Sequence, residues 1–166
     1  MILPVLQYPD PRLARVSRPV TEITPELREL VANMAETMYA RDGIGLAAPQ
    51  VGENIRLVLI DVSGPDRQED LRVLINPEIT LSGPEIDSDE GCLSVLGFTS
   101  TVKRMAQAHI KATDLDGNPV EFDAEDTLAI CAQHECEHLE GILFIDHISR
   151  LKRNMLDRKI LKKGKA

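Results

Sequence analysis

Tryptophan is missing from this 166-residue chain, and only five of its residues are aromatic, two Tyr and three Phe. A core of this size therefore has to be built from aliphatic side chains. Long hydrophobic runs are missing too. No stretch approaches the roughly 20 apolar residues that a bilayer-spanning helix needs. The opening Met1–Pro9 has no basic patch leading into an apolar segment, so neither a signal peptide nor a membrane span is expected, and the chain reads as cytoplasmic. Cysteine is scarce: the three cannot all pair, and two of them, Cys131 and Cys136, fall on one predicted helix, which favours reduced thiols. Positive charge is also short, 19 Lys and Arg against 27 Asp and Glu, except at one end. From 150 to 166 there are eight basic residues and one acid, Asp157, a segment of +7; with −8 overall, residues 1–149 carry −15. That balance argues against sequence-specific nucleic-acid binding. The tail reads as a basic amphipathic helix, solvated or touching a polyanion.

What is present describes one domain over 1–166, of an α+β class. Prolines 4, 9, 11 and 19 make residues 1–24 an extended lead-in. Thr24-Pro25 is a helix start, and Leu27, Leu30, Val31, Met34 and Met38 follow helical spacing up to Gly43. The segment Gly43–Gly52 is small, apolar and glycine-rich, with Gln50 its one long polar side chain; a tight core turn and a binding loop explain it equally well. Strands are expected at 55–62, 71–76, 79–81, 99–103 and 106–113, with an acidic loop at 87–90. Asp123 is expected to cap a second helix, with Asp126 three residues later in a capping-box arrangement, Gly141 to end it, 142–148 to run extended, and Ser149 to cap a last helix.

That second helix carries Gln133-His134-Glu135-Cys136-Glu137-His138, a His-Glu-x-x-His pattern. Residues i and i+4 share a helix face, so both imidazoles reach one metal ion, and Glu135 lies near enough to move protons there without ligating. A catalytic site needs a third protein ligand. The histidine that one protease pattern puts ten positions after the first is Phe144 here. The downstream carboxylate of another would have to be Asp157, set among Lys and Arg. Both protease readings weaken, and Cys92, following Gly91 in a predicted loop, is the strongest remaining candidate. His109, His147, Cys131 and Cys136 read as ordinary polar or packing residues. Thiolate plus imidazole ligation by itself suggests zinc.

Three blocks in order, Gly43-Ile44-Gly45-Leu46-Ala47-Ala48-Pro49-Gln50, Glu90-Gly91-Cys92-Leu93-Ser94 and Gln133 to Leu139, resemble the peptide deformylases, metal hydrolases that remove the N-formyl group from nascent bacterial polypeptides. The likeness runs from Tyr8-Pro9-Asp10-Pro11-Arg12-Leu13 to the basic last helix. It implies antiparallel or mixed β-sheets packed around a central metal-binding helix, with an N-terminal amphipathic helix and a C-terminal one. It implies Cys92, His134 and His138 as ligands of one divalent metal, usually Fe²⁺, with Zn²⁺, Ni²⁺ or Co²⁺ as replacements. Glu135 becomes the general acid/base, the Gln50 amide and Leu93 N–H the oxyanion donors, and Ile44, Gly45 and Leu93 the substrate contacts. A methionine slot is expected from Ile44, Ile130 and the Cys131 region. The implied partners are formyl-methionyl nascent peptides and, through the basic tail, the ribosome. Two positions depart from the family pattern: Glu137, where Asp is common, and Leu96, where Pro often stands. Two further readings remain: a non-catalytic metal- or peptide-binding relative, and a structural zinc site, for which no fourth ligand offers itself.

Overall fold

In a computed structural model describing residues 1–164, every strand joins a single antiparallel sheet rather than several. Lys165 and Ala166, and with them the end of the expected tail, lie outside the described residues. Helix α1 (Pro25–Ala40) begins at Thr24, whose hydroxyl accepts the Leu27 N–H at 3.1 Å. The sheet then runs β1 (Gly45–Ala47), β2 (Leu57–Ile60), β3 (Arg72–Cys92), β4 (Val95–Thr113), β5 (Pro119–Glu125) in simple spatial order. Helix α2 (Asp126–His138), a 3-10 helix (Phe144–His147) and α3 (Arg150–Gly164) follow.

Strand β2 explains how the layers join. All four of its residues are buried, because alternate side chains serve different cores. Leu57 and Leu59 meet Leu27, Val31, Met34 and Met38 of α1. Val58 and Ile60 meet Ala129, Ala132 and Leu139 at α2 on the other face. Each fully buried aliphatic side chain contributes about 1.5–3 kcal/mol, and α2 can lie close to the sheet because its contact residues are small. A third cluster, including Leu13, Val102, Phe144 and Leu156, joins the β3–β4 hairpin to the 3-10 helix and α3.

Several expected boundaries differ. The separate strands at 71–76 and 79–81 and the acidic loop at 87–90 are one strand, β3; likewise 99–103 and 106–113 belong to β4. The Asn76-Pro77 and Gly83-Pro84 signals mark register shifts inside β3, not its ends. A bulge accepts a residue without an N–H, and Asn76 and Gly83 adopt the positive φ needed there, 52° and 78°. Asp87 to Glu90 alternate cleanly, Asp87 and Asp89 outward, Ser88 and Glu90 inward. Asp123 does not cap α2: it belongs to β5, which continues to Glu125, and no side chain caps that helix. Cys92 is the last residue of β3 rather than part of a loop. Residues 144–147, expected extended, form the 3-10 turn. After α2 the chain turns at Gly141 (φ 74°), where Ile142 N–H bonds to Glu137 C=O at 3.0 Å and Gly141 N–H to His138 C=O at 3.2 Å, satisfying carbonyls the helix leaves open.

Candidate metal centre and substrate cleft

Helix α2 sets His134 and His138 one turn apart, ring centroids 5.1 Å from each other. The end of β3 brings Cys92 to them: its Sγ lies 3.5 Å from His138 Nε2, and one donor atom from each of the three residues falls within 4.8 Å of the others. The His134 ring is fixed on two sides. Its Nδ1 meets Glu90 Oε1 at 3.0 Å, which turns Nε2 toward the cysteine, and Phe144 stacks on its face at 6.1 Å with 24° between planes. Glu90 is itself held by Arg104, whose Nε and Nη2 donate to both carboxylate oxygens at 2.8 Å. Burial alone would raise the Glu90 pKa, but hydrogen bonds from Arg104 and His134 outweigh it and hold the carboxyl at about 2.

Gln50 is fully buried beside this triad. Its Oε1 accepts Ala47 N–H at 2.9 Å, and its Nε2 donates to Ser94 Oγ at 3.1 Å while lying 3.5 Å from Cys92 Sγ. The amide orientation is thereby set. Glu135 is buried too, with burial pushing its carboxyl up to about 7. It has room only because residue 45 is glycine: a Cβ there would meet Glu135 Oε2 at 2.5 Å and Cys131 Sγ at 2.8 Å.

A cleft of about 480 Å³ opens over these groups. Ile44, Gly45, Gln50, Cys92, Leu93, His134 and Glu135 all line it, so the structure gathers the expected site residues around one space. His138 sits just beneath, against Cys92. Ile130 and Cys131 line the same cleft, together with Thr127 and Asp42, which the sequence did not single out. Cys136, His109 and His147 lie elsewhere. Leu96 is 53% exposed and does not line the cleft. Sequence reading gives Arg104 the family's spacing from Cys92 but no role, and what it missed is the pairing of Arg104 with Glu90. Glu90 stands in the same block as Cys92, but its pairing with Arg104, 14 residues on, needs the β3–β4 fold-back to become visible.

The residues fit a divalent cation. Burial, with His134 and Arg104 nearby, pushes His138 well below its ordinary pKa, leaving the neutral imidazole that ligates metals. Around His134 burial works against charge, yet Glu135, Cys92 and Glu90 outweigh it and push its pKa well up; that gathering of negative groups suits a positive ion. His138 Nδ1 and Glu135 Oε1 are buried with no hydrogen-bond partner. A thiolate and two imidazoles are a good donor set for a first-row transition metal.

A Cys-His-His set with a free carboxylate beside it, at the mouth of a cleft on an α+β scaffold, is the signature of the metal-dependent hydrolases. Comparison narrows the class. Residues 2–154 match the polypeptide deformylase family model. A peptide deformylase from Cellvibrio japonicus (strain Ueda107) is 50% identical over 166 residues, covering 99% of this chain and 97% of the relative. The crystal structure of a peptide deformylase from Legionella pneumophila superposes with a TM-score of 0.93 at 42% identity, covering 99% of this chain and 96% of that one. One from Synechococcus elongatus, solved in complex with actinonin, gives 0.89 at 40% identity, covering 98% and 88%. The chain belongs to the polypeptide deformylase family. It is a hydrolase of formyl-methionyl peptides, removing the N-formyl group from nascent chains in a family that is metal-dependent. Among the described residues no helix is long and apolar enough to cross a membrane.

Proposed function

We propose that Cys92, His134 and His138 hold one divalent ion per chain, Fe²⁺ by resemblance to the family, with Zn²⁺, Ni²⁺ or Co²⁺ able to replace it, and that α2 is the central metal-binding helix of a single catalytic domain spanning 1–166. The observation that carries this reading is the approach of three ligating atoms within 4.8 Å, one drawn from β3 and two from α2, at the edge of the cleft. When bound, the ion supplies Lewis-acid activation of water and of the formyl carbonyl. Glu135 takes the proton of the attacking water and returns it to the leaving amine, so that the C–N bond breaks to formate and a free N-terminus. The Gln50 amide, held by Ala47 and Ser94, and the Leu93 N–H donate to the oxyanion of the tetrahedral intermediate. Ile44 and Gly45 face the peptide, whose backbone adds as a strand along 43–46, and the methionine side chain enters toward Ile130 and Cys131. Actinonin, with which the relative from Synechococcus elongatus was solved in complex, is expected to enter the same cleft here.

Formate release from a formyl-Met tripeptide tests the assignment. Glu135→Ala should lose at least about 10²-fold in kcat, the low end of what a positioned acid/base contributes, while keeping its metal by elemental analysis. Full activity in that variant would remove Glu135 from the mechanism. The protein works in the cytoplasm, where the basic helix α3 and the residues after it dock on the ribosome that presents the nascent chain. Co-sedimentation of a 1–149 truncation across a salt series checks this; unchanged binding would end the docking idea.

A further inference from the structure

Of the four histidines, His147 lies outside the cleft, on the 3-10 helix after α2, with its side chain 38% exposed. Its Nε2 is 2.6 Å from Glu137 Oε2. The other oxygen of Glu137 pairs with Arg104 Nη1. Arg104 directs its remaining donors to both oxygens of Glu90, and Glu90 Oε1 receives Nδ1 of His134 at 3.0 Å. Five side chains thus form an unbroken path from the surface to a metal-site imidazole. Along it exposure falls from 38% at His147 through 22% at Glu137 to 3% at Arg104 and 6% at Glu90. The inner links are therefore the well-shielded ones.

The same 3-10 helix reaches His134 by a second route. Phe144, three residues before His147, stacks on the His134 ring. An imidazole has two side-chain torsions. Its face meets the 3-10 helix directly, and its edge is fixed by Glu90, behind which the chain of pairs returns to that helix. Glu137 is the joint. One of its oxygens is on Arg104 and the other on His147, so one carboxylate joins the two.

We propose that His147 is a positioning residue for the metal site, acting through Glu137, Arg104 and Glu90 on the orientation of His134. Donation from its ring keeps the Glu137 carboxylate turned onto Arg104. Arg104 then keeps its two-point grip on Glu90, and Glu90 keeps Nε2 of His134 aimed at Cys92. The inference rests on reading Cys92, His134 and His138 as metal ligands, and its test separates the two.

The test uses the full chain loaded with Co²⁺, following the visible absorption of the thiolate-ligated ion and its rate of loss to a chelator. Partners directly behind a metal ligand are typically worth about 10–100-fold in affinity, so at three links further out His147→Ala should release Co²⁺ about three- to tenfold faster, with a shifted absorption band. His147→Gln keeps an N–H for Glu137 and should stay close to the native rate. Glu137→Asp is one methylene short of spanning both partners and should reproduce the acceleration alone, which keeps the test open if His147→Ala fails to fold. Adding His147→Ala to Glu137→Asp should then change nothing more. Equal acceleration by His147→Ala in both backgrounds, or none in either, overturns the inference, since a merely loosened 3-10 helix would act in both. If the native chain takes up no Co²⁺, or Cys92→Ser leaves the spectrum unchanged, the metal-site reading itself falls.

Discussion

Two histidines of this protein meet carboxylates through Nδ1, and the shorter contact is the less consequential. His109 on β4 lies 2.6 Å from Asp123 and 2.7 Å from Glu121 across the β4–β5 ladder, on a solvated face. His134 lies 3.0 Å from Glu90, inside the protein, with Arg104 closing the other side of the carboxylate. Distance alone would rank the outer cluster higher. Burial reverses the order, because water and salt screen His109 and its partners, whereas Glu90 and Arg104 are almost fully shielded and have only each other, His134 and Glu137. The outer cluster is a surface ornament on a ladder that the backbone already holds. The inner one sets the direction in which an imidazole presents its free nitrogen.

The comparison can be broken at three depths. The largest effect belongs to Glu90→Ala, which removes the carboxylate from under both Arg104 and His134. It should cost about 3–5 kcal/mol in urea denaturation, the usual penalty for orphaning one side of a buried pair, together with weaker metal retention. A loss below 1 kcal/mol would mean that the inner cluster is no better than a surface one. Intermediate in depth is Arg56, 21% exposed, which bridges Glu140 at 2.7 Å and the Pro77 carbonyl at 2.9 Å. Glu140→Gln should cost under about 1 kcal/mol in the same experiment, as half-exposed pairs do. The smallest effect is His109. Hydrogen bonds to Asp123 and then Glu121 raise its pKa above the ordinary 6.5. Its contribution to stability is therefore fully present below pH 6.5 and fades as pH rises through the raised value in the folded state. An NMR titration should find that pKa above 6.5. A value at or below 6.5, or a stability difference between native and His109→Ala that grows with pH, would contradict the pairing.

Legibility in the sequence followed the range of the interactions. The family and the α+β class could be read because the motif blocks and the helical and strand periods are local patterns. Cys92, His134 and His138 stood out by residue type and spacing, and the structure brings them together. What could not be read depends on register. Glu90 faces Ser100 and Arg104 faces Ile86 across the hairpin, so their contact is diagonal and follows only from the register that the hairpin takes after the shift at Glu90/Cys92. Two further shifts, at Ile75/Glu78 and Ser82/Glu85, hid the length of β3, since Pro77 and Gly83-Pro84 are indistinguishable in sequence from strand ends. The Asp123 cap failed for a related reason: a pairing partner on β4, His109, had a use for that aspartate on a strand, and β5 ran on. Glu137 stood out only as a departure from the family pattern; its link to His147 crosses the turn at Gly141 and has no signature in spacing.

Cys92 and His138 touch across 46 residues of chain. Between them lie all of β4, β5 and nearly all of α2, so their meeting is a non-local contact that requires the hairpin and the docked helix together. A chain with the hairpin formed and α2 undocked has two histidines on a helix and a distant thiol, a poor holder of any divalent ion. A metal held by all three, as proposed, would act as a latch that only the finished structure can close, and its free energy of binding would add to the docking of helix onto sheet. Removing the ion should loosen that docking first, well before the α1 side of the sheet feels it.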